Sequence, residues 1–317
     1  MRGRFAPSPS GRMHLGNVYS ALLSYLSAKK GGGEWILRIE DLDRQRCKKE
    51  YSARLLEDLL WLGLKWDNFS SSPAQSDSLS GLSSEFFQSN RDSFYMSAFD
   101  LLSQKGLVYD CFCSRADLFS ASAPHASDGT PVYSGKCRNL SESEKSHLYQ
   151  KRLPAKRIIV EEKSCSFCDG HYGNQECELY CDLGDFIIRR SDGNFSYQLA
   201  VVVDDALMGV DQVVRGRDLI SSTFNQLYLY EKLDFPQFPQ FFHLPLLLSA
   251  DGRRLSKRDK DTDMGFLREN LTPQGLIGKI LFLCGIIEKE EELSLEEALS
   301  VFDWKKIKQD DVFCSTL

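Results

Sequence analysis

Arg4-Phe5-Ala6-Pro7-Ser8-Pro9-Ser10-Gly11-Arg12-Met13-His14-Leu15-Gly16-Asn17 joins a short strand, Gly3 to Ala6, to a helix start through a turn of proline, serine and glycine. Leu15 to Lys30 is apolar at helical spacing and stops at Gly31–Gly33. A strand meeting a helix N-terminus leaves backbone N–H groups and the positive helix end facing a bound anion, an arrangement suited to phosphate. Gly16 lets a nucleotide approach the backbone, and His14 and Asn17 can donate hydrogen bonds to it. A lone histidine at a helix start is more often structural, so this turn does not by itself define a function.

Outward from this turn, Glu34 to Ile39 alternates as a strand, and Lys48 to Leu62 is helical, with Leu55, Leu56, Leu59, Leu60 and Leu62 on its buried side. Ser70 to Ser84 is a serine-rich loop, and Arg91 to Lys105 is a further helix. This alternation predicts an α/β fold, a doubly wound parallel sheet of Rossmann type. Residues 1–105 form its first half. Residues 106–185 lack clean periodicity and carry most of the ten cysteines, so they are expected to form an inserted zinc-binding module. Residues 186–250 return to the sheet pattern, with a hairpin at FIIRR–SDGN–FSYQL, a helix from Leu199 to Met208, a strand from Gln212 to Arg215 and a helix from Leu219 to Lys232. Residues 251–317 are expected to be a loop followed by short helices, with Ser294 and Glu297 forming a capping box for a helix through Phe302.

The formal net charge of −6 excludes a strongly basic whole-molecule field. RNA contact would have to come from the local patches Lys151–Arg157, Arg253–Lys260 and Lys305–Lys308. No stretch approaches the roughly 20 apolar residues that cross a bilayer, and the first residues lack an apolar leader, so a cytoplasmic protein with reduced thiols is expected. Clustered cysteines in that compartment point to metal or catalysis. Cys111, Cys113 and Cys137 could supply three ligands of a tetrahedral zinc site, for which chemistry alone makes His125 the better fourth. Cys165, Cys168, Cys177 and Cys181 have the spacing of a possible second site.

Some 240 residues after the first turn, Ala250-Asp251-Gly252 leads into Arg254-Leu255-Ser256-Lys257-Arg258, where a glycine-containing turn delivers a cationic cluster. The pair His14-Leu15-Gly16-Asn17 and Arg254 to Arg258 resembles the "HIGH" and "KMSKS" motifs of class I aminoacyl-tRNA synthetases. RFAPSPSG at 4–11, Arg38-Ile39-Glu40-Asp41-Leu42-Asp43 and VVVDDALMGVDQVVRGRDL at 201–219 resemble the glutamyl-tRNA synthetase family within that class. Two positions depart from the motifs. Asn17 stands where the first ends in histidine, and the second begins with Arg254 and ends with Arg258. Both departures keep hydrogen-bond donors or positive charge.

The resemblance implies that His14, Gly16, Asn17, Ser256 and Lys257 bind Mg-ATP, with His14, Asn17 and Lys257 stabilising the transition state. It implies a glutamate pocket built from Arg4, Ala6, Ser8, Glu40, Tyr197 and Arg215. Chemically these fit, because arginine forks suit carboxylates and a glutamate side chain suits an ammonium. The CxC…YxxxC pattern of Cys111, Cys113, Tyr133 and Cys137 resembles the short glutamyl-queuosine branch and implies tyrosine as the fourth zinc ligand. In that branch glutamate is activated without tRNA and passed to queuosine of an aspartate tRNA, and no anticodon-binding domain is expected. The alternatives are a truncated synthetase charging glutamate tRNA and an inactive RNA-binding paralogue.

Overall fold

The strands expected near residues 3–6, 34–39 and 212–215 pair side by side in the computed structural model, which describes residues 1–68, 82–114, 117, 132–249, 252–253, 255 and 263–314. In chain order, β1 (Arg2–Phe5), α1 (Leu15–Lys30), β2 (Glu34–Leu37), α2 (Lys49–Trp61) and α3 (Asp92–Gln104) come first. β3 (Val108–Cys111), α4 (Glu142–Tyr149), β4 (Ala155–Ile158), β5 (Ser164–Asp169), β6 (Gly173–Glu178) and β7 (Ile187–Arg189) follow. Then come α5 (Tyr197–Leu207), β8 (Gln212–Gly216), α6 (Ile220–Lys232), β9 (Gln240–Leu244) and β10 (Leu247–Ser249). After these lie α7 (Met264–Asn270), α8 (Pro273–Leu283), α9 (Leu295–Val301) and β11 (Val312–Cys314).

The central sheet has the order β2-β1-β8-β9, and its neighbouring strands are all parallel. Its strands are buried on both faces along most of their length, as a sheet covered on both sides requires. Alternation along each strand divides the side chains between two cores. Trp35, Leu37 and Val214 face the cluster formed with α1, α2 and the C-terminal helices. Ile36, Val213 and Phe241 face the cluster formed with α3, α5 and α6. The helices therefore cover opposite faces, which is the doubly wound arrangement. The capping box of Ser294 and Glu297 is formed at α9, with both reciprocal bonds present.

Between the two halves of the sheet, β3, β4 and β7 form a separate antiparallel sheet, and β5 and β6 form a hairpin. β7 lies beyond residue 185 yet pairs with β4. The hairpin expected at FIIRR–SDGN–FSYQL reduces to β7 and a single bridge between Arg189 and Phe195. Ser196 then caps α5 through Leu199 N–H, so the return strand gives way to helix. The turn of the β5–β6 hairpin rests on β9, with Gly170 N–H donating to the Phe241 carbonyl at 2.8 Å. A side chain at Gly170 would collide with the Phe242 ring, whose nearest atom is 2.1 Å from an ideal Cβ.

Candidate active site

Ligands of open parallel sheets bind beyond the carboxyl ends of the strands, where successive connections run in opposite directions. Here β1 is flanked by β2 on one side and β8 on the other. Four charged or polar residues emerge at those ends. Arg4 lies near the end of β1, Glu40 follows β2, Arg215 lies on β8, and His243 lies opposite it on β9. Backbone bonds carry the β1–β2 pairing past the strands, from Arg38 N–H to Phe5 O and from Glu40 N–H to Pro7 O. Arg4, Glu40 and Arg215 are thus set on adjacent chain segments by the sheet register itself.

A cavity of about 450 Å³ opens at this end, with Ser8, Glu40, Gln88, Arg190, Asn194 and Tyr197 in its lining. Arg215 reaches its wall by donating to the Tyr197 hydroxyl at 3.4 Å. Ala6 is half-buried nearby in sequence but is not part of that lining. A larger cavity of about 630 Å³ lies by the opposite strand ends, with Arg2, Glu34 and Asp67 in its wall, and includes none of the expected site residues.

Two electrostatic arrangements meet at the strand ends. In the first, Arg38 is fully buried and donates to Asp205 at 2.6 Å and to Glu40 at 3.3 Å, with Asp204 3.6 Å away. Burial works against its charge, but Asp205, Asp204 and Glu40 outweigh it and push the pKa up. Arg4 lies 3.5 Å from the same Asp205. Asp204 also receives bonds from Arg91 at 2.6 Å, Gln88 at 2.8 Å and Tyr95 at 2.9 Å. Burial raises the Glu40 pKa despite the neighbouring Arg38 and Arg4. Arg38 therefore pairs chiefly with the two aspartates of α5. Asp41 accepts from the backbone and hydroxyl of Ser89.

In the second arrangement, Arg215 is only 5% exposed, yet no carboxylate among the described residues lies within ion-pair distance of it. Its donors reach four neutral acceptors: Thr223 Oγ1 at 2.7 Å, His243 Nε2 at 3.2 Å, the Tyr197 hydroxyl and the Leu219 carbonyl. Burial pulls its pKa down. A buried guanidinium held by neutral groups is primed for an incoming anion, because that anion would supply the missing compensation. Sequence reasoning did not single out Arg38, Asp204, Asp205, Thr223, Asp169 or His243. The motif VVVDDALMGV contains the aspartate pair, but its partners lie far away in the chain.

At the first turn of α1, His14 Nδ1 accepts from Gly16 N–H at 3.1 Å and Asn17 Oδ1 accepts from His14 N–H at 3.1 Å, forming a reciprocal cap. This bonding puts the His14 proton on Nε2 and leaves the Asn17 amide nitrogen as its donor end. A Cβ at Gly16 would press on the His14 ring at 3.0 Å, so the glycine also makes room for the imidazole. His14, Gly16 and Asn17 face Gly216, Leu246 and Leu255 across a small cavity of about 70 Å³. Leu255 brings the second motif to this turn. Arg254, Ser256, Lys257 and Arg258 lie outside the described residues.

The third site gathers Cys111, Cys113 and Cys137, whose sulfurs lie within 4.8 Å of one another. Cys113 and Cys137 sulfurs are 3.6 Å apart, and the Tyr133 hydroxyl lies 3.5 Å from Cys111 and 3.7 Å from Cys113. Tetrahedral thiolate sites with metal–sulfur bonds of about 2.3 Å have ligand–ligand edges of roughly 3.8 Å, so the donor set could hold such an ion. Hydrogen bonds from Cys137 and Tyr133, with the Arg157 guanidinium, push the Cys111 thiol below its ordinary range, while burial raises Cys113. Arg157 donates to Cys111 at 3.2 Å and lies 3.8 Å over the Tyr133 ring, while Cys137 N–H donates to the Tyr133 hydroxyl at 2.8 Å. These contacts stabilise negative charge on the Cys111 thiolate, whereas burial and the bonds to Cys111 and Cys137 push the Tyr133 hydroxyl well above its ordinary range. His125 lies outside the described residues.

The second cysteine set does not gather. Cys165 and Cys177 face each other across the hairpin, but Cys168 stands three residues along the same strand and therefore on its other face. Cys168 and Cys181 are exposed, and among the described residues only the first set forms a cluster of metal-ligand type. The basic patch at 151–157 is also partly structural, because Lys156 pairs with Asp110 and Arg157 is buried on Cys111.

The parallel sheet, the nucleotide-type turn and the cavity at the strand ends define a class I aminoacyl-tRNA synthetase catalytic fold. The family described as tRNA synthetases class I (E and Q), catalytic domain, matches residues 1–314. The chain belongs to that family and is a ligase-type enzyme. It is 41% identical over 98% of its length to a glutamyl-Q tRNA(Asp) synthetase of Symbiobacterium thermophilum, covering 94% of that protein. It is 43% identical over 90% of its length to one from Nitratidesulfovibrio vulgaris, covering 87% of it. A glutamate–tRNA ligase of Sulfurihydrogenibium is 39% identical, and the chain spans 62% of its length. A crystal structure of a glutamate tRNA ligase from Elizabethkingia meningosepticum, in complex with its amino acid, superposes with a TM-score of 0.80 at 28% identity, covering 100% of this chain and 67% of that one. No described helix is long and apolar enough to cross a membrane.

Proposed function

We propose that this enzyme activates L-glutamate with Mg-ATP and transfers it to queuosine in the anticodon loop of aspartate tRNA. The observation that carries the glutamate assignment is the buried Arg215, whose acceptors among the described residues are all neutral. A substrate carboxylate supplies the anion, Glu40 receives the substrate ammonium, and Arg4, Ala6, Ser8 and Tyr197 complete the pocket. The names of the glutamyl-Q relatives support the choice of RNA.

In the first step a carboxylate oxygen of glutamate attacks the α-phosphorus of ATP, and pyrophosphate leaves. This gives glutamyl-adenylate without tRNA. His14, Gly16 and Asn17 bind the nucleotide at the start of α1, with Ser256 and Lys257 from the second motif, and positive charge lowers the barrier at the pentacoordinate phosphorus. In the second step a hydroxyl of the RNA attacks the activated carbonyl, and AMP leaves with the bonding electrons. Cys111, Cys113, Tyr133 and Cys137 hold a structural zinc ion, which fixes the connection between β3 and β4 and takes no part in either step.

The test is transfer of labelled glutamate, with ATP, to three RNAs: aspartate tRNA with queuosine, the same tRNA without it, and glutamate tRNA. Label on the queuosine-containing RNA alone is expected. Label on glutamate tRNA alone would make the enzyme a conventional charging synthetase. No label anywhere, together with no ATP–pyrophosphate exchange, would make it an inactive RNA-binding paralogue.

A further inference from the structure

Arg215 is oriented by a group that is itself held from behind. Its Nε–H can only donate, so His243 Nε2, 3.2 Å away, is the acceptor. A neutral imidazole that accepts at Nε2 carries its proton on Nδ1. That nitrogen lies 2.6 Å from Asp169 Oδ2. The other carboxylate oxygen, Oδ1, accepts from the backbone N–H of Tyr172 at 2.9 Å, His171 at 3.0 Å and His243 at 3.3 Å. Both oxygens are engaged, so the carboxylate cannot turn away from the ring. Asp169, His243 and Arg215 are all buried.

We infer that Asp169 and His243 form a positioning relay that locks the imidazole tautomer and so aims Arg215 at the substrate carboxylate; this rests on the role proposed above for Arg215. A carboxylate placed directly on Arg215 would orient it equally well but would neutralise it. The neutral ring orients the guanidinium and keeps the anion one residue further back. This also gives the β5–β6 hairpin a task other than metal binding. Its turn carries Asp169 and is clamped to β9 through Gly170 and the Phe241 carbonyl. It is clamped on its other side by Tyr172 hydroxyl to Gln309 O at 2.7 Å and by Gln309 Nε2 to His171 O at 2.9 Å.

The variant Asp169→Asn keeps size and shape. Its amide oxygen can retain the backbone bonds, which turns its NH₂ toward His243 Nδ1. The ring must then accept at Nδ1 and carry its proton on Nε2, facing the Arg215 N–H donor to donor. The experiment combines ¹⁵N NMR of the imidazoles with ATP–pyrophosphate exchange at varied glutamate and varied ATP. With five histidines in the chain, His243→Gln identifies the ring's signals.

The expected wild-type spectrum has His243 Nε2 unprotonated, and in Asp169→Asn the proton moves to Nε2. The KM for glutamate rises about ten- to a hundredfold, the range for losing a hydrogen bond to a charged group, while the KM for ATP and the thermal midpoint stay unchanged. A wild-type ring protonated on Nε2 overturns the relay, and this arm needs only the native protein. An unchanged glutamate KM in a folded variant also overturns it. So does a rise in both KM values with a lowered thermal midpoint, because that marks general damage to the hairpin. If wild-type enzyme shows no glutamate-dependent exchange, the proposed function fails, and the relay then stands or falls on the imidazole spectrum alone.

Discussion

Replacing Arg215 by glutamine separates a substrate-binding arginine from a structural one. The buried guanidinium has no carboxylate within ion-pair distance among the described residues, and two of its four bonds are long, at 3.4 Å to Tyr197 and to the Leu219 carbonyl. Burying a charge on such terms costs several kcal/mol that the native contacts do not recover. Arg215→Gln relieves that cost while losing the bonds to Thr223 and His243, so the net change in folding stability is expected to stay within about 1 kcal/mol. The functional cost is different in kind. The substrate carboxylate would enter a buried pocket and find no fork to meet it, which costs about 3–5 kcal/mol of transition-state binding. At about 1.4 kcal/mol per decade this is a fall of roughly two to four orders of magnitude in kcat/KM for glutamate. The assay is ATP–pyrophosphate exchange with glutamate as the varied substrate, alongside a thermal melt. A loss below about tenfold in a well-folded variant would remove Arg215 from the pocket. A large drop in stability with modest loss of activity would make it structural.

Three further outcomes follow from the same geometry. Arg38→Met leaves Asp204, Asp205 and Glu40 without their shared cation and is expected to cost about 3–5 kcal/mol of stability by denaturant unfolding; an unchanged midpoint would refute the network as a fold determinant. Burial lifts the Glu40 pKa above its ordinary 4.5, so the carboxylate proposed to receive the substrate ammonium is lost at a higher pH than an ordinary glutamate as the solution is acidified. The folded state then holds that proton more tightly than the unfolded chain, so Glu40's contribution to stability falls as pH rises through this window. The acid limb of kcat/KM for glutamate should therefore lie above that value and vanish in Glu40→Gln, whereas a limb at or below it would exclude Glu40 as the group observed. Metal analysis should find one zinc per chain and none in Cys111→Ser, with a lowered thermal midpoint; two equivalents in the wild type would restore a role for the second cysteine set.

The parts legible in the sequence are those set by local pattern. α1 occupies Leu15–Lys30 as its apolar spacing requires, and the Ser294–Glu297 cap sits where its residues predict. The first cysteine set gathers with Tyr133, although the choice of tyrosine came from resemblance and not from spacing. The second set failed for a local reason. Two cysteines three residues apart can share an ion only when a turn intervenes, and Cys165 and Cys168 both lie within β5. What the sequence hides is long-range pairing. Arg38 finds Asp205 across 167 residues and Asp169 finds His243 across 74, and no periodicity marks either pair.

The strand ends divide their buried charge by purpose. Arg38 and Arg91 are compensated in place by Asp204 and Asp205, which lie on α5 and draw it onto β2 and α3. Those contacts hold the layers together whether or not substrate is present. Arg215 is compensated by no carboxylate among the described residues, and its neighbours Thr223, Tyr197 and His243 only orient it. Arg4 stands between the two, 3.5 Å from an aspartate that already receives a shorter bond from Arg38. In the proposed pocket a dicarboxylate would therefore meet two unequal arginines. It would gain most at Arg215, which no carboxylate among the described residues pairs, and less at Arg4, where Asp205 competes. Glutamine in place of glutamate would leave Arg215 uncompensated if its amide took that position, so this one residue is where discrimination between the acid and its amide is expected to arise.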